Sequence, residues 1–90
     1  MTRLEEKLVE LGYEKDFEVH SNKLLIFFTK SKWNFASIQI VIDKNANELW
    51  KYQVDLEDKL ITYYRESEDI QLAFNEMQKD LEELRKYENN

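Results

Sequence analysis

The stretch SIQIVIDKNANELWKYQV, residues 37–54, decides the fold. Ile38, Ile40 and Ile42 alternate with Ser37, Gln39 and Val41, and Trp50, Tyr52 and Val54 alternate with Lys51 and Gln53. A period of two is the strand period, because successive side chains on a strand point to opposite faces. Between the two runs lies Asp43-Lys44-Asn45-Ala46-Asn47, and Asp and Asn favour turns through side-chain bonds to nearby backbone. The stretch therefore predicts a β-hairpin.

Outward from this hairpin, Leu24–Phe28 is a short apolar run rich in strand formers, and Phe17 and Val19 alternate with charged neighbours. His20-Ser21-Asn22-Lys23 and Ser31-Lys32-Trp33-Asn34 supply the breaks. Strands in hairpin succession make an antiparallel sheet. Residues 59–64, KLITYY, read as a fifth strand, with a connecting turn as the alternative.

Helices are expected at both ends. Thr2 with Glu5 has the capping-box spacing, Leu4, Leu8 and Leu11 share a face, and Gly12 stands where a helix end favours a left-handed residue. Near the C-terminus, Ser67 reads as a cap with Glu68 and Asp69 in the first turn, where the helix dipole favours acids. Ile70, Phe74, Met77, Leu81 and Leu84 then form an apolar stripe. The stripe suits a helix lying on a sheet, with a coiled-coil seam as the alternative.

The fold expected is α+β: an N-terminal helix, an antiparallel sheet of four to five strands and a long C-terminal helix, both helices packed on one sheet face. Two layers bury both apolar stripes. The other sheet face, with Ser37, Gln39, Lys51 and Gln53, can be wet. That leaves Val41, Phe27, Leu25, Trp33 and Phe35 to be explained, and twelve aromatics are many for one small core. Some are expected on the surface as a contact patch.

Ninety residues make a single domain, 1–90. Zero Cys excludes a disulfide framework and cysteine-bound zinc, one His excludes a His-pair metal site, and one Gly excludes a phosphate-cradling loop. No cofactor is expected. The net charge of -6 falls entirely within residues 46–90, which carry twelve acids against six bases. Such a field repels nucleic acid and attracts basic surfaces. A start charged from Arg3 argues against a signal peptide, and the longest apolar run has five residues, far short of a membrane span of about 20. The cytoplasm of a host cell is the expected location.

Three clusters invite a catalytic or metal-binding reading. Asp43-Lys44-Asn45-Ala46-Asn47 opens like a calcium loop, but Glu48 replaces the required Gly and Val54 the bidentate Glu, so a turn is preferred. His20 beside Ser21 lacks the surroundings of a nucleophile and reads as a solvated side chain. Asp55, Glu57 and Asp58 read as a charged connection. The chain is therefore not expected to be an enzyme.

Asp69, Glu76, Asp80 and Glu83 fall along one flank of the last helix, and helical neighbours three or four apart lie about 5–6 Å from each other. Such a stripe can imitate a phosphate backbone, although Lys79, Arg85 and Lys86 interrupt it. Trp33 and Trp50 are the expected anchors, because Trp is enriched at contact hot spots.

MTRLEEKLVELGY (residues 1–13) and QLAFNEMQKDLEEL (residues 71–84) resemble small proteins encoded by phages and prophages of Firmicutes, which pair an MxxLEEKLxELGY start with a QxAFNxMQKDLExL end. The resemblance covers the two ends, implies a phage origin and brings no catalytic residues with it. The function expected is a non-enzymatic phage accessory protein that binds and inhibits a basic host defence protein. An anti-CRISPR inhibitor of an effector nuclease is its most concrete form, with Asp69, Glu76, Asp80 and Glu83 supplying charge and Trp33 and Trp50 anchoring. The alternative is a self-associating module, a homodimer joined through the C-terminal helix.

Overall fold

The computed structural model describes residues 1–56 and 66–89, apart from the side chains of residues 66 and 67. The order is α1 (Arg3–Glu10), β1 (Glu14–His20), β2 (Leu24–Lys30), β3 (Ala36–Asp43), β4 (Glu48–Leu56) and α2 (Glu66–Arg85). The strands pair in chain order β1-β2-β3-β4, every neighbour antiparallel. This is the α+β architecture expected, with four strands among the described residues. The fifth strand suggested for 59–64 lies outside them.

Both ends of α1 are fixed by local chemistry. Thr2 Oγ1 accepts from the Glu5 amide at 3.2 Å, and Glu5 Oε1 accepts from the Thr2 amide at 3.2 Å, which closes the capping box. Gly12 then takes φ +100°, a backbone region L side chains rarely enter. The Gly12 and Tyr13 amides fold back onto the carbonyls of Val9 and Leu8 at 3.0 Å each. Tyr13 is thereby carried into the core, where it is buried.

The core lies on one side of the sheet. Ile26 and Phe28 from β2, Ile38, Ile40 and Ile42 from β3, Leu4 and Leu8 from α1, and Ala73, Met77, Leu81 and Leu84 from α2 form one cluster. Burying one such aliphatic side chain is worth about 1.5–3 kcal/mol, so this cluster is the main source of stability. In α2 the stripe is shifted from the expected one. Ala73 is buried, while Phe74 stays 45% exposed. Ser67 lies inside the helix rather than ahead of it, since α2 begins at Glu66.

Two β-bulges shape the sheet. The β1–β2 register shifts between Lys15 and Phe17, leaving Asp16 extra, and the β3–β4 register shifts between Val41 and Ile42, leaving Trp50 extra. A bulge bends its strand and re-aims the side chains beside it. The C-terminal tail is clasped to the β3–β4 turn: the Asn89 amide donates to the Asn47 carbonyl at 2.7 Å, and the Leu49 amide donates to Glu88 Oε2 at 2.9 Å. No helix among the described residues is long and apolar enough to cross a membrane.

Candidate functional site

The expected acidic stripe is divided by the fold. Lys30 is the last residue of β2, on the same side as Ile26 and Phe28, and its side chain is 7% exposed. Its ammonium donates to Asp80 at 2.6 Å and to Glu76 at 2.8 Å, and lies 4.6 Å from the centre of the Tyr13 ring. Tyr13 donates its hydroxyl to the same Asp80 oxygen at 2.8 Å. Lys32 donates to Glu76 from outside at 3.0 Å. Asp80 and Glu76 therefore serve to tie α2 to β2 and to the end of α1.

The electrostatics follow from this packing. Burial pushes the Tyr13 hydroxyl far above the usual phenol range, and its bond to the Asp80 carboxylate adds to the shift. Burial alone would raise the Glu76 carboxyl, but the bonds from Lys30 and Lys32 outweigh it and hold the group below the usual range. A charge buried with its partners is costly to strand, because removing one partner leaves the other desolvated and unpaired.

The remaining expected site residues stand apart. Glu83 pairs with Lys86 at 3.2 Å on the outside of α2, and Asp69 lies half-buried in the first turns of α2. Trp33 is packed partly against the core, with Lys32 5.6 Å from its ring centre. Trp50 is 48% exposed at the β4 bulge. As the extra residue of that bulge it stands with Lys51 opposite Val41, a residue that lies outside the core cluster beneath the helices. The four acids and Trp50 thus do not form one surface. Of the stripe named for self-association, Met77, Leu81 and Leu84 lie in the core, while Phe74 is 45% exposed.

The other clusters are local structure. Asp43 Oδ1 accepts from the Ala46 amide at 3.2 Å, and Oδ2 accepts from Lys23 at 3.3 Å. The Ala46 bond first, then Lys23, hold its carboxyl below the usual range against the effect of burial. Asn47 completes this turn at φ +53°. His20 meets Glu18 at 2.9 Å on an exposed strand. Asp55 accepts from Gln53 at 2.6 Å, while Glu57 and Asp58 lie outside the described residues. No group of three His, Cys, Asp or Glu side chains that could hold a metal ion occurs among the described residues.

Strand pairing defines a surface that sequence reasoning sensed only in part. On the sheet face away from the helices, Val19 pairs with Leu25, and Phe17 pairs with Phe27, which pairs in turn with Val41. The Phe17 and Phe27 rings stack with centroids 4.2 Å apart and planes 15° from parallel. Phe17 is still 49% exposed and Val19 38% exposed, whereas Val41 is fully buried. The signal missed was the β1 bulge at Asp16, which sets the register that joins Phe17 to Phe27. A hollow of about 450 Å³ lies at the end of β2, lined in part by Glu14, Lys30, Lys32 and Glu76. Its lysines are already committed to Glu76 and Asp80.

In fold, then, the chain is a two-layer α+β domain whose helices cover one face of a four-stranded meander. In comparisons with family models, with curated proteins and with solved structures, nothing matches this chain.

Proposed function

We propose that this protein is a non-enzymatic binding module that docks onto a basic protein. Its most concrete form is a phage accessory protein that inhibits a nucleic-acid enzyme of host defence, in the manner of the anti-CRISPR proteins, in the host cytoplasm. The observation that carries the reading is the charge of the C-terminal helix and tail. Residues 66–89 hold eight acids against three bases, and acids still exceed bases eight to five when Lys30 and Lys32 are counted with them. Excess charge of one sign at a surface speeds encounter with a partner of the other sign and disfavours nucleic acid itself. The inward use of Asp80 and Glu76 leaves the steering role to the other acids of α2, the exposed Glu68 and Glu82 with the half-buried Asp69 and Glu83.

The test is capture from a Gram-positive host lysate on immobilised protein, followed by an activity assay on the enzyme recovered. The expected result is a nucleic-acid enzyme whose activity the protein inhibits. Its affinity should weaken as salt rises from 50 to 200 mM, as about one order of magnitude or more for a charge-steered contact. Recovery of no protein but the chain itself, or an affinity indifferent to salt, overturns the reading.

A further inference from the structure

An edge strand with a purely structural role turns its apolar side chains toward the core. Strand β1 does the reverse. Lys15 and Glu18 pair with Phe28 and Ile26, whose side chains face the helices, so the charged row of β1 lies on the helix side. There Lys15 and His20 both bond Glu18, at 2.5 and 2.9 Å, beyond the reach of helix cover. The first of those bonds, then the second, hold the Glu18 carboxyl at about 2. Phe17 and Val19 point the other way, onto the sheet face that no helix covers.

The result is an apolar centre with an acidic border. Phe17, Val19, Leu25 and Phe27 surround the covered Val41, and Trp50 stands exposed at the neighbouring bulge. Register places Glu14, Asp16, Glu48 and Asp55 on this same face: Glu14 opposite Thr29, Asp16 accepting from the Thr29 hydroxyl at 2.5 Å, Glu48 opposite the buried Asp43, and Asp55 opposite Ser37. Lys23 and Lys51 are the bases that border them. An apolar patch rimmed by charge marks an interaction surface, and stacked aromatics with an exposed Trp are the residue types that anchor one.

We infer that the open sheet face formed by Phe17, Val19, Leu25, Phe27 and Trp50 is a docking surface for a protein partner that presents an apolar ridge flanked by lysine or arginine. Charge complementarity selects that occupant. A second copy of this chain would bring the same acidic border face to face with itself, at a cost in repulsion. This inference rests on the reading of the chain as a binder of basic proteins and places the contact on the sheet face opposite α2, whose acids then act on the encounter rather than within the contact.

The test uses the full chain with two synthetic amphipathic helical peptides that share one Leu/Phe stripe, one flanked by lysine and the other by glutamate. Binding is read by fluorescence anisotropy. The lysine-flanked peptide is expected to bind at least tenfold more tightly than its twin. Val19→Lys and the double variant Phe17→Ser/Phe27→Ser should each weaken it at least tenfold, with circular dichroism unchanged. Phe17→Ser alone serves if the double variant fails to fold. Equal binding of the two peptides, or full binding by the variants, overturns the inference. So does a dimer in light scattering that the Phe17→Ser variant converts to monomer, because a second copy is then the occupant. If an enzyme captured from lysate binds wild type and variants alike, the proposed function stands and this surface is wrong. If the lysine-flanked peptide requires Phe17 while no enzyme is captured, the surface stands and the proposed function is wrong.

Discussion

On the side of the sheet that faces the helices, Ile26, Phe28, Ile38, Ile40 and Ile42 are at most 1% exposed, and the buried Lys30 beside them is held by two carboxylates. On the other side, Phe17 and Phe27 stack on each other, and Phe17 keeps about half of its surface in water. The same four strands supply both faces, and the strand period supplies apolar side chains to each. The difference lies in what covers them. Helices α1 and α2 complete one face, so its side chains contribute to stability. Neither helix covers the other, so Phe17 and Val19 keep surface available for contact. Stability and binding should therefore separate by face.

The largest expected effect is at the buried ion cluster. Lys30→Ala strands Asp80 beside Tyr13 and should destabilise the domain by about 3–5 kcal/mol in urea unfolding. The double variant Lys30→Met/Asp80→Leu should recover most of that, because an apolar pair leaves no charge unpaired. A Lys30→Ala variant as stable as wild type would show that the cluster is not buried as described.

Next comes the direct contrast between faces. Ile40→Ala should cost about 2–5 kcal/mol through lost burial and the cavity left behind. Phe17→Ser should cost about 1 kcal/mol or less, since it removes a half-exposed ring from an edge strand. Equal costs in chemical denaturation would erase the distinction between the faces.

Gly12→Ala is smaller. A Cβ there would meet Lys30 Cε at 3.5 Å, an ordinary contact, so the penalty comes from φ +100° alone. It should be about 1–3 kcal/mol. A stabilised variant would place Gly12 in ordinary helical geometry.

The smallest effect concerns pH. The folded Glu76 carboxyl lies below its ordinary value, so its contribution is fully present above the unfolded carboxylate pKa of about 4.3 and is lost as pH falls through the lowered folded value. Glu76→Gln should be less stable than wild type near neutral pH and converge with it in acid, as read from urea midpoints across a pH series. Parallel curves would remove Glu76 from the ion cluster.

Much of the fold was legible because local signals agreed with the global one. The Ile38-Ile40-Ile42 alternation, the Thr2–Glu5 capping box and Gly12 each describe a short-range preference that the fold keeps. The site was less legible, because it depends on register and on contacts across the chain. Nothing local says that Lys30 meets Asp80 fifty positions later, although its parity with Ile26 and Phe28 marked it as inward-facing. Their spacing puts Glu76 and Asp80 on one helix flank, but spacing cannot tell a solvated carboxylate from one that closes an internal pair. The pairing of Phe17 with Phe27 hinges on the bulge at Asp16, a one-residue event that alternation alone does not locate.

Backbone amide shifts of the full chain, recorded during titration with the lysine-flanked peptide, test the central claim most directly. The account predicts that the largest changes fall on β1, β2 and the β4 bulge around Trp50, with α2 little affected. Changes concentrated on α2, with β1 and β2 unmoved, would contradict it.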